Sequence, residues 1–144
     1  MKRINTLFPG IIILSISLVT CNFYSDKFLG ANYWFWEDGN QSEIVYSEKK
    51  TAQGGVSIID ASVSQYNFND KYIIVKSNWL IKKGIDAYWI IDKEIKINND
   101  TSLNAELYNH ELKKGLTGPL SKDSFEHLVQ RYNINLELKT LIKK

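Results

Sequence analysis

The run from Val56 to Ser77 most constrains what this chain can fold into: a long β-forming stretch, Val56 to Phe68, is followed by Asn69-Asp70 and then by Lys71 to Ser77. Asn and Asp tolerate left-handed backbone, so a two-residue turn at Asn69-Asp70 folds the second run back on the first. That turn pairs Phe68 with Lys71, Tyr66 with Ile73 and Ser64 with Val75. Side chains alternate along a strand, so Tyr66, Phe68, Ile73 and Val75 share one face while Tyr72 and Ile74 point to the other. Both faces are partly apolar. Such a pair belongs in a sheet covered on both sides, or covered on one side and aromatic-rich on the other.

More strand lies on either side. Ala31 to Trp36 is dense in aromatics that suit a pleated surface, Glu37 to Gln41 interrupts it at Asp38-Gly39, and Glu43 to Ser47 resumes, which reads as an opening hairpin. Glu48 to Gly55, with Lys49-Lys50 and Gly54-Gly55, is expected to be an exposed loop. Asn78 to Gly84 reads as a strand end leading into a turn. Asp86 to Lys93 is a further strand, which Glu94 to Ile97 extends or returns beside. Leu103 to Leu112 is weakly helical. Ser121 opens a clearer helix: Asp123 and Glu126 favour its positive end, and Phe125, Leu128, Val129 and Tyr132 form one apolar stripe. Ile134, Leu136 and Leu138 then alternate with polar residues as a half-buried strand. Together these predict an α+β fold: a single antiparallel sheet of about five strands, with the C-terminal helix packed on one face.

The first residues carry an address. Lys2 and Arg3 precede an apolar block from Leu7 to Val19, broken at Pro9-Gly10, which is the order of a secretory signal peptide. A membrane-spanning helix needs about 20 apolar residues, whereas about 10–14 suit a signal. Leu18-Val19-Thr20-Cys21 resembles the lipobox of bacterial lipoproteins, with Thr20 standing where Gly, Ala or Ser is usual. The resemblance implies cleavage before Cys21 and acylation there, by palmitate or a similar chain, and two or more such chains anchor a protein stably. The expected organisation is a signal peptide over 1–20, a short tether over 21–30 and one domain over 31–144. The expected location is the cell envelope: the outer membrane facing the periplasm, or the cell membrane where the host has only one. Asn22, in place of an aspartate that retains lipoproteins at the inner membrane, points to the former.

Loss of residues 1–20 removes two cations and no acids, so 18 basic and 16 acidic residues become 16 of each. A neutral domain has no summed field to draw in nucleic acid, so no nucleic-acid partner is expected. With Cys21 the single cysteine, no intrachain disulfide supports the core, which must hold by packing. A monomer is expected.

Tyr66-Asn67-Phe68-Asn69-Asp70-Lys71-Tyr72-Ile73-Ile74, then Tyr88-Trp89-Ile90-Ile91-Asp92-Lys93, then Gly118-Pro119-Leu120-Ser121 before Phe125 make the chain similar to a group of small uncharacterised bacterial lipoproteins. The resemblance implies secretion, lipid attachment and a compact α+β domain. It brings no activity and no catalytic residue.

Reactive chemistry finds little support. His110 and His127 are isolated and Cys21 is assigned to the anchor, so neither a metal site nor a cysteine nucleophile is expected, and no cofactor motif is present. The acids Asp60, Asp86, Asp92 and Glu94 are the candidates for a carboxylate pair in a small envelope hydrolase. The aromatics offer more. In a strand Tyr33 and Phe35 face one way and Trp34 and Trp36 the other, and both faces do not fit inside so small a domain. One becomes a candidate ligand surface, with Trp34, Trp36, Trp79 and Trp89 its candidate residues. The expected function is non-catalytic binding of an envelope protein, glycan or peptide.

Overall fold

The computed structural model describes residues 24–39, 41–60, 62–80, 84–98, 100 and 103–141. The expected signal peptide and lipobox, with Cys21, lie outside the described residues. In chain order the elements are β1 (Tyr24–Gly30), β2 (Tyr33–Asp38), β3 (Gln41–Tyr46), β4 (Val56–Ile59), β5 (Ser62–Phe68), β6 (Tyr72–Leu80), β7 (Ile85–Asp92), α1 (Ala105–Leu112), β8 (Leu116–Leu120), α2 (Lys122–Arg131) and β9 (Lys139–Thr140). The stretch from Tyr24, expected as the end of a tether, is thus strand β1, paired with β2 from Tyr24↔Asp38 to Gly30↔Tyr33.

The strands form two antiparallel sheets, β1-β2-β3-β4 and β8-β7-β6-β5-β9, which corrects the expected α+β fold with one sheet of about five strands. The cause is local. Val56 to Phe68 reads as one strand, but the chain breaks at Asp60: β4 ends the first sheet at Ile59, and β5 begins the second at Ser62. The break buries Ile58, Ile59 and Val63 in one core, which side chains alternating along an unbroken strand do not achieve. Ser42 Oγ donates to the Val63 carbonyl at 2.8 Å, tying the two sheets where they diverge.

The inner faces meet in a core of Leu29, Phe35, Ile44 and Ile59 from the first sheet and Ile73, Val75, Trp89 and Ile91 from the second. Phe35 stacks on Tyr66 across the gap, ring centres 4.7 Å apart. Beside β1, Lys27 lies over the Tyr66 and Phe68 rings, and Lys93 Nζ donates to the Leu29 carbonyl at 2.7 Å. Burial holds the Lys93 ammonium below its ordinary range, opposed by Asp70. These cations close the sandwich along its β1 edge.

The five-stranded sheet is covered on its other face too. Ile74, Tyr88 and Ile90 pack under Phe125 of α2 and Ile134, with Leu136 and Leu138 partly buried beside them. Hence β6 and β7 are apolar on both faces. Ser121 caps α2, its hydroxyl accepting from the Ser124 N–H. Residues 134–138 carry no ladder, and pairing to β5 begins only at Lys139–Thr140. Strand β8 leads into α2, and Pro119, which has no N–H to donate, sits on this edge strand.

The β5–β6 turn sits one residue later than the sequence predicts. Asn69 N–H donates to the Tyr72 carbonyl, and Asn69 Oδ1 accepts from the Lys71 and Tyr72 N–H groups. Phe68 therefore pairs with Ile73 and Tyr66 with Val75. The register slides by two, a whole strand period, so every side chain keeps its expected face.

Candidate functional site

The first sheet has one face on the core, and its other face bears the site. Register across β1, β2 and β3 sets Asp26 beside Trp36 and Trp36 beside Glu43. The next row toward the strap runs Phe28, Trp34, Val45 and Ser57. Trp34 leans on Phe28, ring centres 4.9 Å apart, and the Phe28 side of that pair is open to solvent.

Residues 47–55, between β3 and β4, arch over this face as a strap. Asp26 Oδ2 accepts from Thr51 Oγ1 at 3.0 Å and from the Ala52 N–H at 3.3 Å, and Ala52 is buried beneath. Expected as an exposed loop, the segment is instead held by a carboxylate two strands away from where it leaves the sheet. Its return needs glycine: a Cβ on Gly55 would lie 2.7 Å from the Tyr46 carbonyl oxygen. Hydrogen bonds to a charged acceptor are worth more than neutral ones, so Asp26 is one of the strap's fastenings, beside the Ser47 N–H on the Asn32 carbonyl and the buried Ala52.

Strap and sheet enclose a pocket of about 430 Å³ with Trp36 and Val45 on its sheet side, Asp38 and Glu43 at its margin and Gly54-Gly55 on the strap. Ser57 Oγ, also on its wall, is buried without a hydrogen-bond partner among the described residues, as is Trp34 Nε1. A buried polar atom left unmatched costs about 1–3 kcal/mol.

The four candidate tryptophans do not form one surface. Trp34 and Trp36 share the outer face of the first sheet, both half-buried. Trp89 belongs to the core, its Nε1 donating to Ser77 Oγ at 2.8 Å with both residues buried. Trp79 lies on β6, and its side chain is outside the described residues.

Nor do the four candidate acids converge. Asp86 and Asp92 stand six residues apart on β7, about 20 Å along a strand. Asp86 pairs with Lys76 at 2.8 Å and Glu94 with Lys71 at 2.6 Å, and Asp92 Oδ1 accepts from the Glu94 N–H. Those partners raise both lysines above their ordinary range, the hydrogen bond to the carboxylate being the main cause. Asp60 is exposed where the chain passes between sheets. Among the described residues no three His, Cys, Asp or Glu side chains come close enough to hold a metal ion, and no helix is long and apolar enough to cross a membrane.

Asp26, Asp38, Glu43, Thr51 and Ser57 were not among the sequence candidates. The hairpin signal at Asp38-Gly39 carries part of the information, since closing it between Asp38 and Gln41 sets Glu43 opposite Trp36. Nothing local announces that the strap reaches Asp26. The chain matches no family model, no curated protein and no solved structure.

Proposed function

We propose that this is a non-catalytic binding domain of the bacterial cell envelope, held on a lipid at Cys21, whose ligand seats between the strap and Trp36. One observation carries the binding part: an aromatic ring, flanked in register by two carboxylates, forms the sheet side of a preformed concavity. Concavities that set an apolar ring beside placed polar groups are where small ligands and side chains bind. Phe28 and Trp34 pack on each other, while Trp36, Val45, Asp38 and Glu43 line the pocket and remain for a ligand.

The anchor is supported by the order of Lys2-Arg3, the apolar block and Leu18-Val19-Thr20-Cys21. Two residues lie between Cys21 and the start of β1, three steps along the chain and a reach of at most about 11 Å. A lipid at Cys21 therefore holds the domain against the membrane surface. Intact-mass measurement of chain from native membranes should show cleavage before Cys21 and added acyl mass; a retained Met1 with a free thiol overturns the anchor.

Binding is tested on the purified full chain by NMR with a small-fragment library. The expected result is saturable shifts gathered at the Trp36 indole N–H and the Gly54 and Gly55 amides. Shifts gathered instead at the recess between Tyr72 and Tyr132 on the opposite side, or nowhere, overturn the assignment.

A further inference from the structure

The charge of the pocket narrows what it takes. Asp26, Asp38 and Glu43 line it, and its described lining includes no Lys, Arg or His. The Lys49 ammonium passes beside Gly54 on the strap. Asp26 already holds the strap through one oxygen, whereas Asp38 and Glu43 have neither an ion-pair nor a hydrogen-bond partner among the described residues. Like charges gathered in a concavity focus a negative potential and raise the local concentration of cations.

The ring between them favours the same sign, because the face of an indole is the negative part of its quadrupole. Strands about 4.8 Å apart set the backbones of Asp26 and Glu43 roughly 10 Å from each other, with Trp36 between. That is wide for a bare ion, and these three acids are not close enough together to ligate one. It fits an organic cation lying on the indole with its N–H groups turned to the Asp38 and Glu43 carboxylates. A neutral sugar can stack on the ring too, but it leaves the Asp38 and Glu43 charges unmatched.

We infer that the pocket selects a primary ammonium or guanidinium group; this rests on the binding reading above and adds the sign of the ligand's charge. The head group can belong to a small amine or to a side chain of a peptide, and the test separates these sources. The full chain in detergent is titrated by NMR at matched ionic strength with butylammonium chloride, N-acetyl-lysine methylamide, arginine ethyl ester and N-acetylglucosamine.

Each cation should shift the Trp36 indole N–H saturably and bind at least about tenfold more tightly than N-acetylglucosamine, a difference within the range of a desolvated cation–π contact. Raising salt should weaken the cations and leave the sugar unchanged. Glu43→Gln, which keeps size and removes charge, should weaken the cations about three- to tenfold. Equal affinity for butylammonium and the lysine derivative means that the head group alone is read; tighter binding of the lysine derivative indicates a peptide-borne source, and either supports the inference. Tighter binding of N-acetylglucosamine, or cation binding indifferent to Glu43→Gln, overturns the inference while leaving a binding pocket. Failure of all four probes to reach Trp36 overturns the inference alone if the fragment library finds other ligands there, and both readings if it finds none.

Discussion

Beyond the five-stranded sheet, Ile74, Tyr88 and Ile90 lie under Phe125 and Ile134, and that face is a second core. Beyond the four-stranded sheet, Trp34, Trp36 and Val45 lie under a strap held by Asp26 and beside a pocket. The two faces start from similar aromatic and β-branched strands. What separates them is the later chain: after β7 it supplies a helix and an apolar tail to one face, and among the described residues nothing comparable reaches the other. Trp89 and Trp36 state the contrast in single residues. The first has its N–H matched by Ser77 inside the core, and the second forms the wall of a concavity among carboxylates. A strand tryptophan is core or platform according to what is laid over it.

The contrast is open to measurement, beginning with the largest effect. Phe125→Ala should cost about 3–5 kcal/mol in denaturant unfolding, since it removes the ring that packs on Tyr88 at 5.1 Å. Trp36→Ala costing as much would mean that the outer face of the first sheet is core after all. Alkaline pH probes the shared interior. Burial, aided by Tyr46 and Asp92, pushes the Tyr33 phenol up to about 12. The unfolded chain loses that proton near pH 10 and the folded chain does not, so this contribution is complete below pH 10 and lost as pH rises to about 12. The expected loss is about 2–3 kcal/mol, and Tyr33→Phe should flatten that part of the stability curve.

Gly118→Ala places a methyl 2.6 Å from the Trp89 ring and 2.8 Å from the Tyr88 carbonyl oxygen at a φ of +143°. It should cost about 1–3 kcal/mol, showing that Trp89 is held by packing as Trp36 is not. Asp26→Ala should leave global stability nearly unchanged and speed hydrogen exchange at the Ala52 amide about tenfold, the loss of roughly 1.4 kcal/mol of local protection. Slow exchange persisting there would show that the strap is held by packing on Ala52, not by the carboxylate. Trp36→Phe comes last, with a change in stability within about 0.5 kcal/mol.

Side-chain direction was well determined by local pattern. Tyr33 and Phe35 turn inward with Ile73 and Val75, and Tyr72 and Ile74 turn the other way even though the turn at Asn69 is displaced by one residue, because displacement of both partners amounts to a full period. The helix start at Ser121 was equally legible, since a cap and the stripe behind it are contained within about a dozen residues. The crossing between sheets at Asp60 was not, and neither was the grip of Asp26 on a strap some 25 residues away. Each depends on which surfaces are already occupied when the chain arrives.

Acting alone, the amino-acid sequence determined the alternation of its strands and the capped helix, both consequences of near neighbours. Only the tertiary structure decided that there are two sheets, that Trp89 is interior and Trp36 is not, and that Asp26, Asp38 and Glu43 gather around one ring. The physical reason is that burial and charge proximity belong to surfaces brought together from distant parts of the chain, and no residue carries in its own neighbourhood a record of what will be packed against it.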